Sequence, residues 1–493
     1  MKIIDDFLNS ITMYRLVLYY LLVLVASAII LSFFKLLPFD PLAFIFSTIF
    51  LMAVGWITNK FFATVLKVPT NTESIYISSL ILALIITPSI SFKDLPLLFW
   101  SAIWIAASKF IFNIKRKHLF NPAALAVVIA SLAGLGSASW WVGTLVMMPQ
   151  VLLGGLLIVK KIRRWDLVLS FFAVSLSTII IYAVMKGDNL MILTKQIFFD
   201  SPILFFAFVM LTEPQTTPPT KWLQIYYGAL VGFLFAPQIH IGSFYSTPEI
   251  ALILGNIFSY LVSPKEKLIL ILSKKTQLAS NIYDFVFKLD QKLTFLPGQY
   301  MEWTLGLKKA DDRGNRRYFT LASAPTEGNL RIGVRISDSS SSFKQELVNM
   351  KNGDKIVAGC LSGDFVLPQD PGRKFVFIAG GIGITPFRSI IKNMIDNQEK
   401  RDIALFYSVK NTEDEIYMDV FRQAQSLGLR TFVNVSAQSG PITKEIIISE
   451  VADFKQRSFY LSGPHGMVDS FEKTLTDAGL KKSQIKTDYF PGY

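Results

Sequence analysis

The 493 residues are enough for two or three domains, and 52% of them are hydrophobic against 17% charged, well below the charged quarter of an ordinary soluble protein. The single cysteine, Cys360, excludes an internal disulfide and a thiolate-held iron–sulfur cluster, which takes about four such ligands. The net charge of +13 does not point to nucleic acid, because no basic run carries interleaved aromatics; basic loops on the inner face of a membrane protein account for it.

Apolar runs fill residues 14–262 and the chain turns polar from Pro264, with a seam at residues 263–267. A bilayer core of about 30 Å takes about 20 apolar residues per helix. Ten spans are predicted, centred near Val25, Ile49, Leu82, Trp104, Val128, Leu152, Phe172, Ala207, Val231 and Leu254. Residues 14–34 read as the first span rather than a signal peptide, because Asp5 and Asp6 precede them and no small-residue cleavage site follows. Residues 202–213 are short and bounded by proline, as a broken or re-entrant segment would be.

Charge orients these spans. With the amino terminus inside, the inner loops carry Lys60, Lys67, Lys115, Arg116, Lys117, Lys160, Lys161, Arg163, Arg164 and Lys221. The outer loops carry Lys35, Lys93, Lys186 and Lys195, each with an acid nearby. That is the positive-inside asymmetry, and an even number of spans leaves the polar half in the cytoplasm. Pro88 and Pro122 stand 126 residues before Pro214 and Pro248. This is either coincidence or a five-plus-five inverted repeat, an architecture that puts ligand sites at broken helices. Glu73 and Glu213 are either wet span ends or part of a proton, cation or flavin site.

Residues 74–89 (SIYISSLILALIITPS), 120–129 (FNPAALAVVI) and 205–220 (FFAFVMLTEPQTTPPT) resemble the NqrB/RnfD family, membrane subunits of the sodium-pumping NADH:quinone reductase and of the Rnf complexes. The resemblance covers roughly residues 40–262. It implies ten helices and a bound flavin, typically FMN esterified through its phosphate to the threonine of a Ser-Gly-Ala-Thr motif. That motif is absent; residues 140–144 (WWVGT) offer Thr144, which could equally pack between helices.

Beyond Lys267, short alternating apolar runs at residues 268–272, 283–289 and 330–336 give an antiparallel β-barrel pattern. From Arg373 the order becomes strand, glycine turn, helix, strand, the signature of a parallel α/β domain. The chain thus divides into a polytopic helical membrane domain over residues 1–263, an antiparallel β-barrel over 264–370 and an α/β parallel-sheet domain over 371–493.

Residues 295–300 (FLPGQY) and 317–325 (RYFTLASAP) resemble the flavin-binding strands of the ferredoxin–NADP reductase superfamily, and residues 351–354 (KNGD) and 363–368 (GDFVLP) its barrel end. A pyrophosphate carries two negative charges, and a guanidinium offers paired donors, so Arg317 is the expected clamp. In the motif Arg317-Tyr318-Phe319-Thr320, Phe319 stands where the family more often has a tyrosine against the isoalloxazine, and the Thr320 hydroxyl could meet flavin N5, the hydride acceptor. Gly333, Val334 and Arg335, with Ser341, Ser342 and Phe343 at a helix start, resemble the second flavin element, where backbone N–H groups bind pyrophosphate.

Residues 375–386 (FVFIAGGIGITP) give a buried strand, a glycine turn and a helix over residues 387–394. Gly380, Gly381 and Gly383 let backbone approach phosphate and nicotinamide, and Thr385 and Pro386 complete the match. Its partner is residues 462–467 (SGPHGM), where Ser462 replaces the family's cysteine beside the nicotinamide and Gly463, Pro464 and Met467 follow. The resemblance makes Thr320 and Ser462 the catalytic candidates and lets Phe490 or Tyr493 cover the flavin; His465 reads as structural. Lys410 could meet a 2′-phosphate, but Glu413, Asp414 and Glu415 follow and would repel one, which tilts the choice toward NADH.

The expected protein is a multi-pass cell-membrane flavoprotein oxidoreductase. It would pass electrons from NADH or NADPH through FAD to an FMN in the membrane half, then to a quinone or another acceptor, alone or with partner electron-transfer subunits and in contact with membrane lipid. Hydride transfer needs positioning of two rings rather than an acid–base pair, and no metal site is read from the sequence. Two alternatives remain: a ferric-reductase-like protein, which needs paired histidines where this half has only His118 and His240, and a redox-gated transporter built on the repeat.

Overall fold

The computed structural model describes residues 4, 7–8, 11–66, 72–114, 117–242, 244–262, 267–291, 293–307, 311, 313–337 and 340–490. Two compact units make up the chain, Met1–Glu266 and Lys267–Tyr493.

Apolar sequence and local caps make the first unit helical. Its helices are α1 (Met13–Phe33), α2 (Pro41–Val65), α3 (Thr72–Ile85), α4 (Leu95–Ile111), α5 (Pro122–Leu132), α6 (Met148–Ile162), α7 (Trp165–Lys186), α8 (Leu190–Phe199), α9 (Ile203–Phe205), α10 (Lys221–Phe235) and α11 (Pro248–Val262). Two short hairpins, β1 (Asn113–Ile114) with β2 (Lys117–His118) and β3 (His240–Ile241) with β4 (Phe244–Tyr245), turn the chain ahead of α5 and α11. Where α5 starts, the Asn121 side chain accepts from the N–H groups of Ala123 and Ala124, and Pro122 takes the first helical position, where no N–H is needed.

All ten predicted centres fall in helical turns, though the helices that hold them differ in length. Among the described residues three helices, α1, α2 and α7, are long and apolar enough to cross a membrane alone. Residues 190–199 and 203–210 form a pair bent by 53°, a broken span or a re-entrant loop. Its second arm passes from α9 into a π-helical turn, Phe206–Met210, buried throughout. The other predicted spans are helices of 11 to 17 residues, about 17 to 26 Å long and shorter than a bilayer core of about 30 Å. Hairpins and proline-led starts cut them short, features that a hydropathy window averages away.

Glycines let these helices touch. A Cβ on Gly228 would lie 2.5 Å from the Leu167 carbonyl oxygen, and one on Gly232 2.6 Å from that of Phe171, so α10 meets α7 backbone to backbone. Gly155 makes room for Phe208 of the π turn, and Gly154 for Tyr20 of α1.

In the second unit, β5 (Leu268–Ala279), β6 (Ile282–Lys288), β7 (Tyr300–Thr304), β8 (Arg316–Thr320), β9 (Asn329–Arg335) and β10 (Lys355–Ser362) form an antiparallel sheet of order β8-β7-β10-β5-β6-β9. Irregularities at residues 272–274 and 277–279 bend the long β5. Helix α12 (Ser342–Asn349) sends Phe343 and Leu347 into a core shared with Phe285, Phe287 and Trp303.

The parallel sheet comprises β11 (Phe375–Gly380), β12 (Ile403–Val409), β13 (Leu429–Val435), β14 (Ser458–Pro464) and β15 (Ile485–Phe490), in the order β13-β12-β11-β14-β15. Every residue of β11 is buried, as a strand covered on both faces must be. The covering helices are α13 (Thr385–Asp396), α14 (Met418–Gln423), α15 (Ser436–Ser439), α16 (Lys444–Glu450) and α17 (His465–Asp477). Strand order runs outward in both directions from the β11–β14 pair, and the carboxyl ends of such a pair are where open α/β sheets bind ligands.

Candidate functional site

At the carboxyl ends of β11 and β14 two turns meet in close contact, main chain to main chain at Gly383. A Cβ on Gly383 would stand 2.3 Å from the Ser462 carbonyl oxygen and 2.6 Å from the Gly463 nitrogen. One on Gly380 would meet the Met467 sulfur at 2.5 Å and Pro464 Cδ at 3.0 Å. Gly381 has φ of +52°, a left-handed conformation that glycine adopts at little cost. Pro386 occupies the first turn of α13, where the Thr385 hydroxyl donates to the Ile382 carbonyl (3.1 Å). Gly380 and Gly383 pack tightly, while a Cβ on Gly381 would meet only Arg335 Nη1, at 3.6 Å, so the turn leaves main chain open there, as a phosphate or a flat ring needs.

A second cluster gathers cations. Arg317 in β8 is 4% exposed, and its Nη1 donates to the carbonyls of Arg313 (2.8 Å) and Arg316 (2.6 Å). Its guanidinium lies 5.4 Å from the Phe343 ring, and Phe319 packs 6.0 Å from the same ring. Ser341 caps α12 and Ser342 N–H donates to Asp311 Oδ2 (2.9 Å). Arg313 Nη2 stands 3.1 Å and Arg317 Nη2 3.9 Å from that carboxylate. Burial opposes its ionisation, yet the Ser342 and Arg313 N–H groups and the two guanidiniums hold Asp311 below the usual carboxylate range. Lys344, one turn into α12, is pushed down to about 8 by burial and then by Arg317 and Arg313. Three cations at a helix N-terminus, facing one carboxylate, fit a doubly charged pyrophosphate. The sequence flags Arg317, Ser341, Ser342 and Phe343 here but misses Arg313, Lys344 and Asp311.

Between the clusters, the Thr320 hydroxyl donates to Asp488 Oδ2 (3.4 Å). Asp488 is the cross-strand neighbour of Ser462, which is fully buried and whose Oγ has no hydrogen-bond partner among the described residues. The sequence reading gave Asp488 no role; only strand register reveals it. Tyr318 points the other way, donating to Glu302 (2.8 Å). His465 pairs with Asp469 (2.9 Å) and packs on Tyr489.

The trio Gly333, Val334 and Arg335 does not act as one element. Val334 enters the core of the antiparallel sheet. A Cβ on Gly333 would lie 2.9 Å from Thr385 Cγ2 and from the Tyr417 oxygen. Arg335 reaches toward Gly381 and stands 3.9 Å from Asp414 Oδ2. Two of the three therefore face the parallel sheet, and Asp414, 6% exposed, is turned inward toward that arginine. The Phe490 side chain and Tyr493 lie outside the described residues.

In the first unit, Thr144 ends the short turn Trp141–Gly143, and its buried Oγ1 has no hydrogen-bond partner among the described residues. Glu213 accepts from Asn121 (2.9 Å) and Thr216 (3.3 Å) and stands 3.6 Å from His118. Glu73 pairs with Arg15 at 3.0 Å. Both carboxylates are engaged by protein groups, as partly buried charges require. Glu249, absent from the sequence candidates, is 4% exposed and accepts from Trp140 Nε1 (2.7 Å). The histidines sit on separate hairpins, and His240 Nδ1 is 2.9 Å from the Gly242 carbonyl.

Comparison with known proteins matches three stretches. Residues 132–267 match the NQR2, RnfD, RnfE family, residues 269–366 an oxidoreductase FAD-binding domain and residues 377–473 an oxidoreductase NAD-binding domain. Flavohemoprotein A of Dictyostelium discoideum is 27% identical over 235 residues, covering 45% of this chain and 59% of that protein. Flavohemoprotein of Bacillus subtilis is 24% identical over 236 residues, covering 45% and 58%. The chain thus spans about three-fifths of the length of these curated relatives. Among solved structures, the Amycolatopsis cytochrome P450 reductase GcoB aligns with TM-score 0.42 and 24% identity over 46% of this chain and 70% of that one. Ferredoxin-NADP+ reductase from Plasmodium falciparum with 2'P-AMP aligns with TM-score 0.40 and 18% identity over 46% and 97%.

Proposed function

From a chain whose residues 132–267 match the NQR2, RnfD, RnfE family and whose residues 269–366 and 377–473 match oxidoreductase FAD-binding and NAD-binding domains, we propose a membrane-bound NAD(P)H-dependent flavoprotein oxidoreductase. The observation that carries it is the pair of sites: a cationic helix terminus on the antiparallel sheet and a glycine turn on the parallel one, with Thr320, Asp488 and Ser462 between them. Bound FAD would supply a two-electron acceptor able to release electrons singly or in pairs. Arg313, Arg317, Lys344 and the first N–H groups of α12 would hold its pyrophosphate, and Phe319 would offer an aromatic face to the ring. Gly380, Gly381 and Gly383 would seat the nicotinamide nucleotide, while Ser462 excludes water beside it. The closing of the antiparallel sheet into a barrel is part of this reading, as are domain limits at residues 264–370 and 371–493.

For the first half we propose a multi-pass arrangement with the nucleotide sites cytoplasmic and a quinone, or FMN at Thr144, as acceptor. A module on one face cannot carry electrons across a bilayer, so an acceptor inside the membrane half is what transmembrane flow requires. Internal repetition supports a two-part architecture. Leu95 and Pro122 open α4 and α5, and Lys221 and Pro248, each 126 positions later, open α10 and α11 with a hairpin between them as before.

Anaerobic addition of NADH or NADPH to the purified, FAD-loaded protein tests the function. The flavin absorbance near 450 nm is expected to bleach with one nucleotide oxidised per FAD. A flavin that stays oxidised with both nucleotides would sink the proposal.

Lys344 gives the site a pH dependence. With its ammonium depressed to about 8, it is neutral above that pH in the flavin-free protein, and a pyrophosphate would restore its proton. Flavin binding then takes up a proton above pH 8, so the FAD Kd should rise with pH, by up to about tenfold per unit for one proton. The stability sign agrees: a folded pKa below the unfolded 10.5 makes this group's contribution grow more favourable from pH 8 to 10.5 without flavin. Fluorescence titration should show the rise in the native protein and a flat profile in Lys344→Met.

A further inference from the structure

A buried polar seam joins the two sheets of the second unit. Asp284 in β6, 2% exposed, accepts from the Tyr417 hydroxyl (2.8 Å) and from Arg331 Nη1 (2.6 Å). Arg388 in α13, 4% exposed, forms a two-pronged pair with Glu327 (2.7 and 2.9 Å). Its guanidinium lies 5.4 Å from the Tyr417 ring, which links the two pairs into one network. Tyr417 holds φ of +62°, a left-handed conformation that a bulky residue rarely adopts.

Burying two ion pairs is a poor way to stabilise a junction, because desolvation cancels most of the attraction, and apolar packing would hold the sheets as well. Directional bonds do what apolar contact does not: they fix one angle and one register. The seam's position shows what that angle governs. Arg388 Nη1 also donates to the Ala322 carbonyl (2.6 Å), and the Ser389 hydroxyl to that of Ser323 (2.6 Å). Ala322 follows Thr320 by two residues, and Arg388 lies five residues beyond Gly383. The same bonds therefore tie the end of the proposed flavin strand to the helix that leaves the nicotinamide turn. Gly333 lets Tyr417 and Thr385 press against β9, where a Cβ would push the sheets apart.

We propose that the network of Asp284, Tyr417, Arg388 and Glu327 is a positioning device that sets the separation of nicotinamide and flavin. This rests on the function proposed above. In the step concerned, a hydride leaves the dihydronicotinamide, giving NAD(P)+, and its two electrons reduce the flavin. Proximity of this kind is steep: a misplacement of about 1 Å can cost a hundredfold in rate. None of the four lies in the glycine turn at residues 380–383 or in the cluster of Arg313, Arg317 and Lys344, so nucleotide affinity is expected not to depend on them.

The test uses the full chain loaded with FAD and compares Tyr417→Phe, Asp284→Asn and Arg388→Lys with the unsubstituted protein. Stopped-flow reduction at saturating NAD(P)H, the isotope effect with 4-deuterated nucleotide, NAD+ binding by calorimetry and thermal unfolding are read together. The expected result is a reduction rate lower by roughly tenfold and a larger isotope effect, with flavin content and NAD+ Kd unchanged within about twofold. Lower melting temperatures with unaltered rate and isotope effect would show a seam that only holds the sheets together, and would overturn the proposal. Tyr417→Phe removes a single hydroxyl, so it decides the matter even if Arg388→Lys fails to fold. Absence of reduction in the unsubstituted protein would instead overturn the functional reading, and this inference with it.

Discussion

Arg317→Ala is expected to purify without FAD and to show no NAD(P)H oxidation. The guanidinium is buried in β8, beside the start of α12 and 3.9 Å from Asp311, while the strand's other arginine, Arg316, stands 3.6 Å from Glu302. Charge-assisted, two-pronged contacts to a pyrophosphate are among the stronger ones available to a protein, at about 1.5–3 kcal/mol each. Loss of two should weaken FAD binding by about a hundredfold or more. The substitution also frees the carbonyls of Arg313 and Arg316, so the 313–316 turn loses its order too. Arg317→Lys keeps the charge but not the fork and is expected to fall between the two proteins. The flavin-to-protein ratio after purification, followed by FAD titration, checks this; normal flavin content in Arg317→Ala would mean that the flavin binds elsewhere.

Gly383→Ala should do the opposite, keeping FAD but losing reduction by NAD(P)H. The added methyl would meet the Ser462 carbonyl oxygen at 2.3 Å and its carbon at 2.5 Å, both main-chain atoms in the middle of the unit. No rotamer can relieve that clash, so the two turns must separate, at a cost of about 1–3 kcal/mol for overpacking. A gap at the nicotinamide seat should lower the flavin reduction rate by at least about a hundredfold. Gly466→Ala is the control: nothing lies within 4 Å of its Cβ, and in α17 alanine should stabilise by about 0.5–1 kcal/mol. Thermal melts, flavin content and stopped-flow reduction separate the three proteins. Equal rates in Gly383→Ala and the native chain would mean the turn is not the nucleotide seat.

Local pattern made much of the second unit legible. The runs expected at residues 268–272, 283–289 and 330–336 fall on β5, β6 and β9, and the helix expected at residues 387–394 lies inside α13. The glycine turn, the capped start of α12 and the arginine strand are likewise short-range features. What stayed hidden was long-range. Asp284 and Tyr417 are 133 positions apart, and Asp488 reaches Thr320 across 168; single-sequence periodicity has no means of joining them. In the first unit hydropathy found the helical segments but not their lengths. The apolar runs continue through turns, and Lys195 and Gln196 made α8 look like a loop. Glu249 follows a proline at a helix start, where a wet carboxylate is common, and only the fold shows it buried and accepting from the indole of Trp140.

The main-chain contact of Gly383 with Ser462 and Gly463 has an evolutionary corollary. Peptide groups present the same donors and acceptors whatever their side chains, so substitutions cannot easily retune the floor of the proposed nicotinamide seat. Adaptation to one dinucleotide over the other is then left to the rim, at residues 410–415 beyond β12, where charges can be exchanged freely without disturbing the seat.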